Sequence, residues 1–335
     1  MTDMPGHILL TGGAGFIGSH TYVALCEAGH EVTILDNFQN AQRDVPARLS
    51  RLTGRDTPVL DIDISDAAAV RAAFRAHDFD AVVHFAALKS VPDSEANPVE
   101  YYRINCSGLV NITHAMRETG VNAMVFSSSA AVYGAARHMP LTEDTPTAPT
   151  STYGATKLFG EDFLARIARA HPDFRTGILR YFNPVGAHGS GLIGEDPSQV
   201  PGNLVPVIAR VARGEIAQLT IFGDDYPTPD GTCIRDYIHV LDLAQGHVLS
   251  LDALLNRGES HLVNLGTGRG SSVLEVLGAY GDVLGRELPH RIVGRRPGDP
   301  PVSYAETARA RDVLGFEARY GLREMCASNW AFFNR

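Results

Sequence analysis

Cysteine is scarce in this chain of 335 residues: Cys26, Cys106, Cys233 and Cys326 stand far apart in sequence. That spacing excludes a disulfide-dense scaffold and offers no Cys/His ligand pattern for a metal. Reduced thiols of a cytoplasmic protein are the simpler expectation. Positive charge is also short, with 29 Lys and Arg against 38 Asp and Glu and a net charge of −9. Such a field argues against nucleic acid or an anionic membrane as a partner. An anion can still be held where a few arginines converge. No apolar run reaches the roughly 18 residues of a membrane span. The start, MTDMPGHILLTGGAG, lacks the basic, apolar and small-residue segments of a signal peptide, so none is expected. There is no internal repeat and no low-complexity block.

What is present is alternation. HILLT, EVTILD, AVVHFAA, AMVFSSS and TGILRYF read as strands, and GFIGSHTYVALCEAG and SDAAAVRAAFRAH between them as helices. The pattern predicts βαβ units: an α/β protein with a Rossmann-like, doubly wound parallel sheet and ligands at the carboxyl ends of the strands. After Phe182 the texture changes. NPVGAHGSGLIGEDPSQVPGN and DDYPTPDGTCIRDY read as long loops around a helix, LVPVIARVARG, and a short strand, LTIFG. VLDLAQGHVLSLDALL reads as a helix that returns to the first domain. The expected division is a nucleotide-binding domain of 1–181 with 237–260, and a smaller α/β substrate domain of 182–236 with 261–335.

TGGAGFIG sets Gly12, Gly15 and Gly18 between a strand and a helix. Glycines there allow a tight turn, close approach of backbone to phosphate, and close helix–sheet packing. The helix start then offers free N–H groups to a pyrophosphate. Asp36 ends the next strand, at the distance expected of the carboxylate that holds an adenosine ribose. A carboxylate there repels a 2′-phosphate, which favours NAD over NADP.

STYGATKLFGEDF places Tyr153 and Lys157 one helical turn apart. A free phenol has a pKa of about 10, so a base working near pH 7 needs a shift of roughly three units, or about 4 kcal/mol. A cation one turn away pulls in that direction. A bare Tyr-x-x-x-Lys often marks only a solvated helix face. Here a strand ending in Ser127, Ser128 and Ser129 stands at the same sheet edge, and a serine there can pass a proton between tyrosine and a substrate hydroxyl.

TGGAGFIG, FSSSAAVYG and YGATK together resemble the extended short-chain dehydrogenase/reductase family. HFAALKSV, RYFNPVGAH, IFGDDYPTPDGTCIRDYIHVLDLAQGHV and NLGTG narrow the resemblance to its UDP-glucose 4-epimerase branch, in the same order and over nearly the whole chain. The resemblance implies an isomerase that inverts C4 of UDP-galactose and UDP-glucose through a 4-keto sugar, with NAD retained through turnover. It implies Ser129, Tyr153 and Lys157 as the catalytic trio. For NAD it implies Phe16 and Ile17 over the pyrophosphate, Asp36 and Asn37 at the adenosine ribose, Asp63 and Ile64 at the adenine, Phe85, Ala86, Ala87 and Lys89 along the cofactor, and Phe182 beside the nicotinamide. For the UDP-hexose it implies Asn183, Asn203, Leu204, Phe222, Arg235, Arg296 and Asp299, and no metal. Guanidinium groups suit a diphosphate because their paired donors match its oxygens. The family also implies a homodimer joined through helices starting near Pro98 and Ser151. Ser303 is a departure: some members carry a bulky tyrosine there, beside the C2 substituent of the sugar. A small residue leaves room for an N-acetyl group, so UDP-GlcNAc and UDP-GalNAc are expected to be accepted too. Relatives that dehydrate or decarboxylate the 4-keto sugar carry an acid directly after the strand-end Ser/Thr. Ala130 and Ala131 stand there instead, which leaves a simple dehydrogenase or a non-catalytic NAD sensor as the competing readings.

Overall fold

The computed structural model describes residues 5–196, 202–296 and 298–335. Its first half runs β1 (His7–Thr11), α1 (Phe16–Glu27), β2 (Glu31–Asp36), α2 (Val45–Thr53), β3 (Val59–Asp61), α3 (Ala67–Ala76) and β4 (Ala81–His84). A bent helical stretch follows, made of α4 (Val91–Ala96), α5 (Pro98–Tyr101), a π-turn (Tyr102–Ser107) and α6 (Gly108–Thr119). Then come β5 (Ala123–Ser129), α7 (Thr152–Ala170) and β6 (Arg175–Tyr181). The second half contains β7 (Asn183–Val185), α8 (Leu204–Ala212), β8 (Leu219–Phe222), β9 (Ile234–His239), α9 (Val240–Asp252), β10 (His261–Leu265) and β11 (Gly270–Ser272). It closes with α10 (Val273–Leu284), β12 (His290–Val293), β13 (Val302–Ser303), α11 (Ala308–Leu314) and α12 (Leu322–Phe333).

Seven strands form one parallel sheet in the order β10-β6-β5-β4-β1-β2-β3. Strands such as AVVH and HILLT are mostly apolar and buried along nearly their whole length because helices cover both faces. On one face Tyr22 and Leu25 of α1 and Leu243 and Leu251 of α9 join the core. On the other, Val70 and Phe74 of α3, Leu109 and Ile112 of α6 and Leu164 of α7 do the same. β1 lies between β2 and β4, so the connections leave it in opposite directions and open a crevice at its carboxyl end. A smaller set of strands, β7, β9, β11 and β13, and the pair β8–β12 carry a second core of Val205, Ile208, Ile221, Val276 and Tyr280.

Three expectations change. His261–Leu265 is the edge strand β10 of the large sheet, paired with β6, so the expected boundary at 260 falls just before it and puts it in the wrong unit. Its run HLVNL is apolar enough to complete the sheet, which a boundary drawn on texture overlooks. The stretch ending in IRDY is not all loop, because Ile234 opens β9, and Asn183–Val185 forms a short strand beside it. The expected loop also covers 197–201, which lies outside the described residues.

Candidate functional site

The glycine turn is dictated by space. Gly12 has φ +69, and a Cβ on it would meet the Ala86 nitrogen at 2.7 Å. A Cβ on Gly18 would collide with the Gly12 carbonyl, so α1 sits directly on the turn. Gly15 caps α1 without a side-chain hydrogen bond, and the first turn of α1 carries no acid. That leaves an uncapped, positive helix end at the crevice, the donor set a pyrophosphate needs. Phe16 and Ile17 begin that helix.

Asp36 is buried at the end of β2. Its carboxylate accepts from Ala14 N at 3.0 Å and Phe38 N at 2.8 Å, so it also braces the glycine turn. Burial raises its pKa against those two bonds. Asn37 donates to Asp63 at 3.1 Å, which brings the two adenosine-side segments together. Burial pushes Asp63 upward, but bonds from Ser65 and Asn37 outweigh it and hold the carboxyl below its ordinary value. Ile64 turns its side chain into the core, where a Cβ on Gly108 would strike it. Phe85, Ala86 and Ala87 follow β4. Asn105 pins that loop through both backbone groups of Leu88, next to Lys89.

The three serines separate in space. Ser127 bonds Tyr181 through its hydroxyl and Lys157 through its carbonyl, the latter at 2.7 Å. Ser128 donates to Glu161, which also holds Arg180 in a buried ion pair. Tyr153, Lys157 and Glu161 recur every four residues, so one face of α7 meets the three serines in turn. Ser129 is left for Tyr153: its hydrogen bond favours the phenolate. Ser151 caps α7 through Gly154 N, and Ser94 of α4 accepts from Tyr153 N at 3.1 Å, which fixes where the tyrosine emerges.

Tyr153 is partly exposed, as a group that meets a substrate must be. The Lys157 ammonium stands 5.9 Å from its ring centre. Burial nonetheless raises the Tyr153 phenol, and Ser129 offsets this only in part. The expected lowering by Lys157 is therefore not what the chain alone produces. Burial explains that too, because it pushes Lys157 itself down to about 8. Behind the trio, His84 bonds Thr11 at 2.8 Å, and burial lowers it to about 3, so it is neutral there. Ala130–Tyr133 forms a short helical turn capped by Ser129, with no carboxylate in it.

Phe182 is buried between β6 and β7, and Asn183 is exposed beside it. Arg235 on β9 lies 3.6 Å from Asp299 and is the register neighbour of Ser303 on β13. The Arg296 guanidinium covers the Phe222 ring at 4.4 Å. Asn203 and Leu204 open α8. Glu195 escapes a sequence reading. In GEDPS it looks like a solvated loop acid, but it is 4 % exposed and accepts from both Lys89 and Asn203.

Fold and site together define a doubly wound dinucleotide-binding protein with Ser129, Tyr153 and Lys157 gathered where β5 meets α7. The chain belongs to the NAD dependent epimerase/dehydratase family, whose model matches residues 8–266. It is similar to the UDP-glucose 4-epimerase of Bacillus subtilis (strain 168), with 48 % identity over 323 residues, 96 % of this chain and 95 % of the relative. The Mus musculus UDP-glucose 4-epimerase is 46 % identical over 96 % of this chain and 95 % of its own. Among solved structures, the Stenotrophomonas maltophila UDP-glucose 4-epimerase with bound NAD and formylated UDP-arabinopyranose superposes with a TM-score of 0.96 at 46 % identity, covering 98 % of each chain. The Bifidobacterium longum enzyme in complex with NAD+ and UDP gives 0.93 at 43 % identity, again over 98 % of each chain.

Proposed function

We propose that this protein inverts C4 of UDP-galactose and UDP-glucose reversibly, with NAD held through turnover. The observation that carries the reading is Tyr153 on α7, partly exposed between Ser129 and Lys157, in a chain whose relatives are UDP-glucose 4-epimerases. The uncapped α1, the braced glycine turn and Asp36 fit NAD. NAD would supply a reversible hydride acceptor and, when oxidised, a positive charge. A cation in the site would work against the burial that raises the Tyr153 phenol. Tyr153 takes the C4 hydroxyl proton, with Ser129 as relay, and returns it after the 4-keto sugar has turned over. Arg235 and Arg296 clamp the diphosphate, Phe222 flanks the base, and Asn183, Asn203, Leu204 and Asp299 complete the UDP-hexose site. Incubation with UDP-galactose and no added NAD should yield UDP-glucose; an unchanged sugar would refute the reading.

Three finer assignments go with it. The seven-stranded sheet, β10 included, forms the NAD-binding unit, and the smaller sheets form the UDP-sugar unit. Ser303 beside Arg235 leaves room for an acetamido group, so Ser303→Tyr should lower turnover of UDP-GlcNAc relative to UDP-glucose by about ten-fold or more, the scale of a filled pocket. An unchanged ratio would remove that assignment. The working form is a cytoplasmic homodimer. Val99, Tyr102, Val110 and Phe159 support it, because they leave apolar surface exposed on α5, the π-turn, α6 and α7. The four free cysteines accord with a reducing compartment. Among the described residues no helix is long and apolar enough to cross a membrane. A solution mass of one 36.1 kDa chain would contradict the dimer.

A further inference from the structure

Glu195 lies between β7 and α8 in the chain, and its side chain is buried. One of its oxygens, Oε1, accepts from Lys89 Nζ at 3.1 Å and from Asn203 Nδ2 at 2.6 Å. Those donors belong to different parts of the site. Lys89 ends the loop after β4, on the cofactor side, while Asn203 is the first residue of the α8 cap, on the UDP side. A buried carboxylate is costly unless paired, so Glu195 keeps Lys89 close. An asparagine at a helix cap normally spends its side chain on the first free N–H groups. Asn203 makes no such bond; its amide goes to Glu195. The first N–H groups of α8 thus receive no side-chain cap from Asn203.

We propose that Glu195 is a positioning residue: through one oxygen it ties Lys89 of the cofactor loop to Asn203 of the UDP loop, so each side of the site is held ready by the other. The inference rests on the function proposed above, since the ligand sides of Lys89 and Asn203 come from it. If the tie breaks, Asn203 is free to rotate back and cap α8, and UDP meets a less ordered helix start. Lys89, no longer fixed, holds the cofactor less firmly.

The test uses the whole protein and measures UDP affinity by calorimetry and NAD retained after gel filtration. Glu195→Ala should weaken UDP about ten-fold and release part of the NAD. Glu195→Gln keeps an oxygen acceptor and should hold UDP within about three-fold of the original protein. Glu195→Ala combined with Asn203→Ala should bind UDP no worse than Asn203→Ala alone, because both act through one contact. Lys89→Met changes the cofactor side only, yet should weaken UDP several-fold. This arm decides the matter if Glu195→Ala does not fold. An unaltered UDP affinity in Lys89→Met, or independent multiplication of the Glu195 and Asn203 effects, overturns the tie. Absence of epimerisation by the unaltered protein would refute the function and not the tie, which is read from binding alone.

Discussion

Tyr153→Phe should reduce turnover of UDP-galactose by about a thousand-fold, the scale of a lost general acid–base group. Bound NAD should stay in place. Phenylalanine keeps the ring and its packing, so only the hydroxyl and its bond to Ser129 disappear. Burial raises the phenol in this chain, so the residue is protonated and inert as a base until opposite charge arrives. That makes the hydroxyl useful only in the assembled site, and its loss should appear in kcat with little change in UDP affinity. Steady-state rates together with NAD extracted from the purified variant give the measurement. A variant within ten-fold of the unaltered rate would show that the proton moves elsewhere.

Lys157→Met should lower the rate by two orders of magnitude and still raise thermal stability at pH 7. Lys157 is 4 % exposed, and burial brings the pKa of its ammonium from 10.5 to about 8. At pH 7 it is charged whether folded or unfolded, so folding carries the full burial penalty, on the order of 3 kcal/mol. Between pH 8 and 10.5 the unfolded chain keeps a proton that the folded chain has released, so this group's contribution to stability rises with pH across that window. Methionine removes the penalty. Its melting temperature should exceed that of the original protein by a few degrees at pH 7, and the gap should close toward pH 10. A gap that does not change with pH would mean that Lys157 is not buried as a cation. The rate falls for a separate reason: Lys157 bonds the Ser127 carbonyl and sets its ammonium 5.9 Å from the Tyr153 ring, so its loss loosens the strand end that carries Ser129 and removes the cation nearest the tyrosine.

The parts legible in sequence are those set by local periodicity and by backbone space. Gly12 and Gly18 announce the turn because nothing larger fits there, and strands such as AVVH announce a buried parallel sheet because they lack a polar face. The tyrosine and lysine are legible through helical spacing taken together with the serine-ended strand before them. The three serines are not. In one dimension their hydroxyls are equivalent, and only the packing of β5 against β6 and α7 gives Ser127 to Tyr181, Ser128 to Glu161 and Ser129 to Tyr153. The tuning of Tyr153 also escapes, because spacing reports the neighbouring cation and not the burial that opposes it. Glu195 is hidden for the same reason: its partners lie 106 and 8 residues away, and its loop is acidic and rich in turn formers. Asp236 behaves similarly. It lies beside Arg235 in the most distinctive block of the chain, yet it serves the fold, accepting from Thr267, Gly268 and Ala305.

The central claim is that the hydrogen removed from C4 never leaves the site before it is returned to the other face. UDP-galactose deuterated at C4, given to purified protein without added NAD, tests it in one spectrum. The expected product is UDP-glucose with deuterium still on its inverted C4. An unchanged configuration, or deuterium lost to solvent or to free NADH, would contradict it.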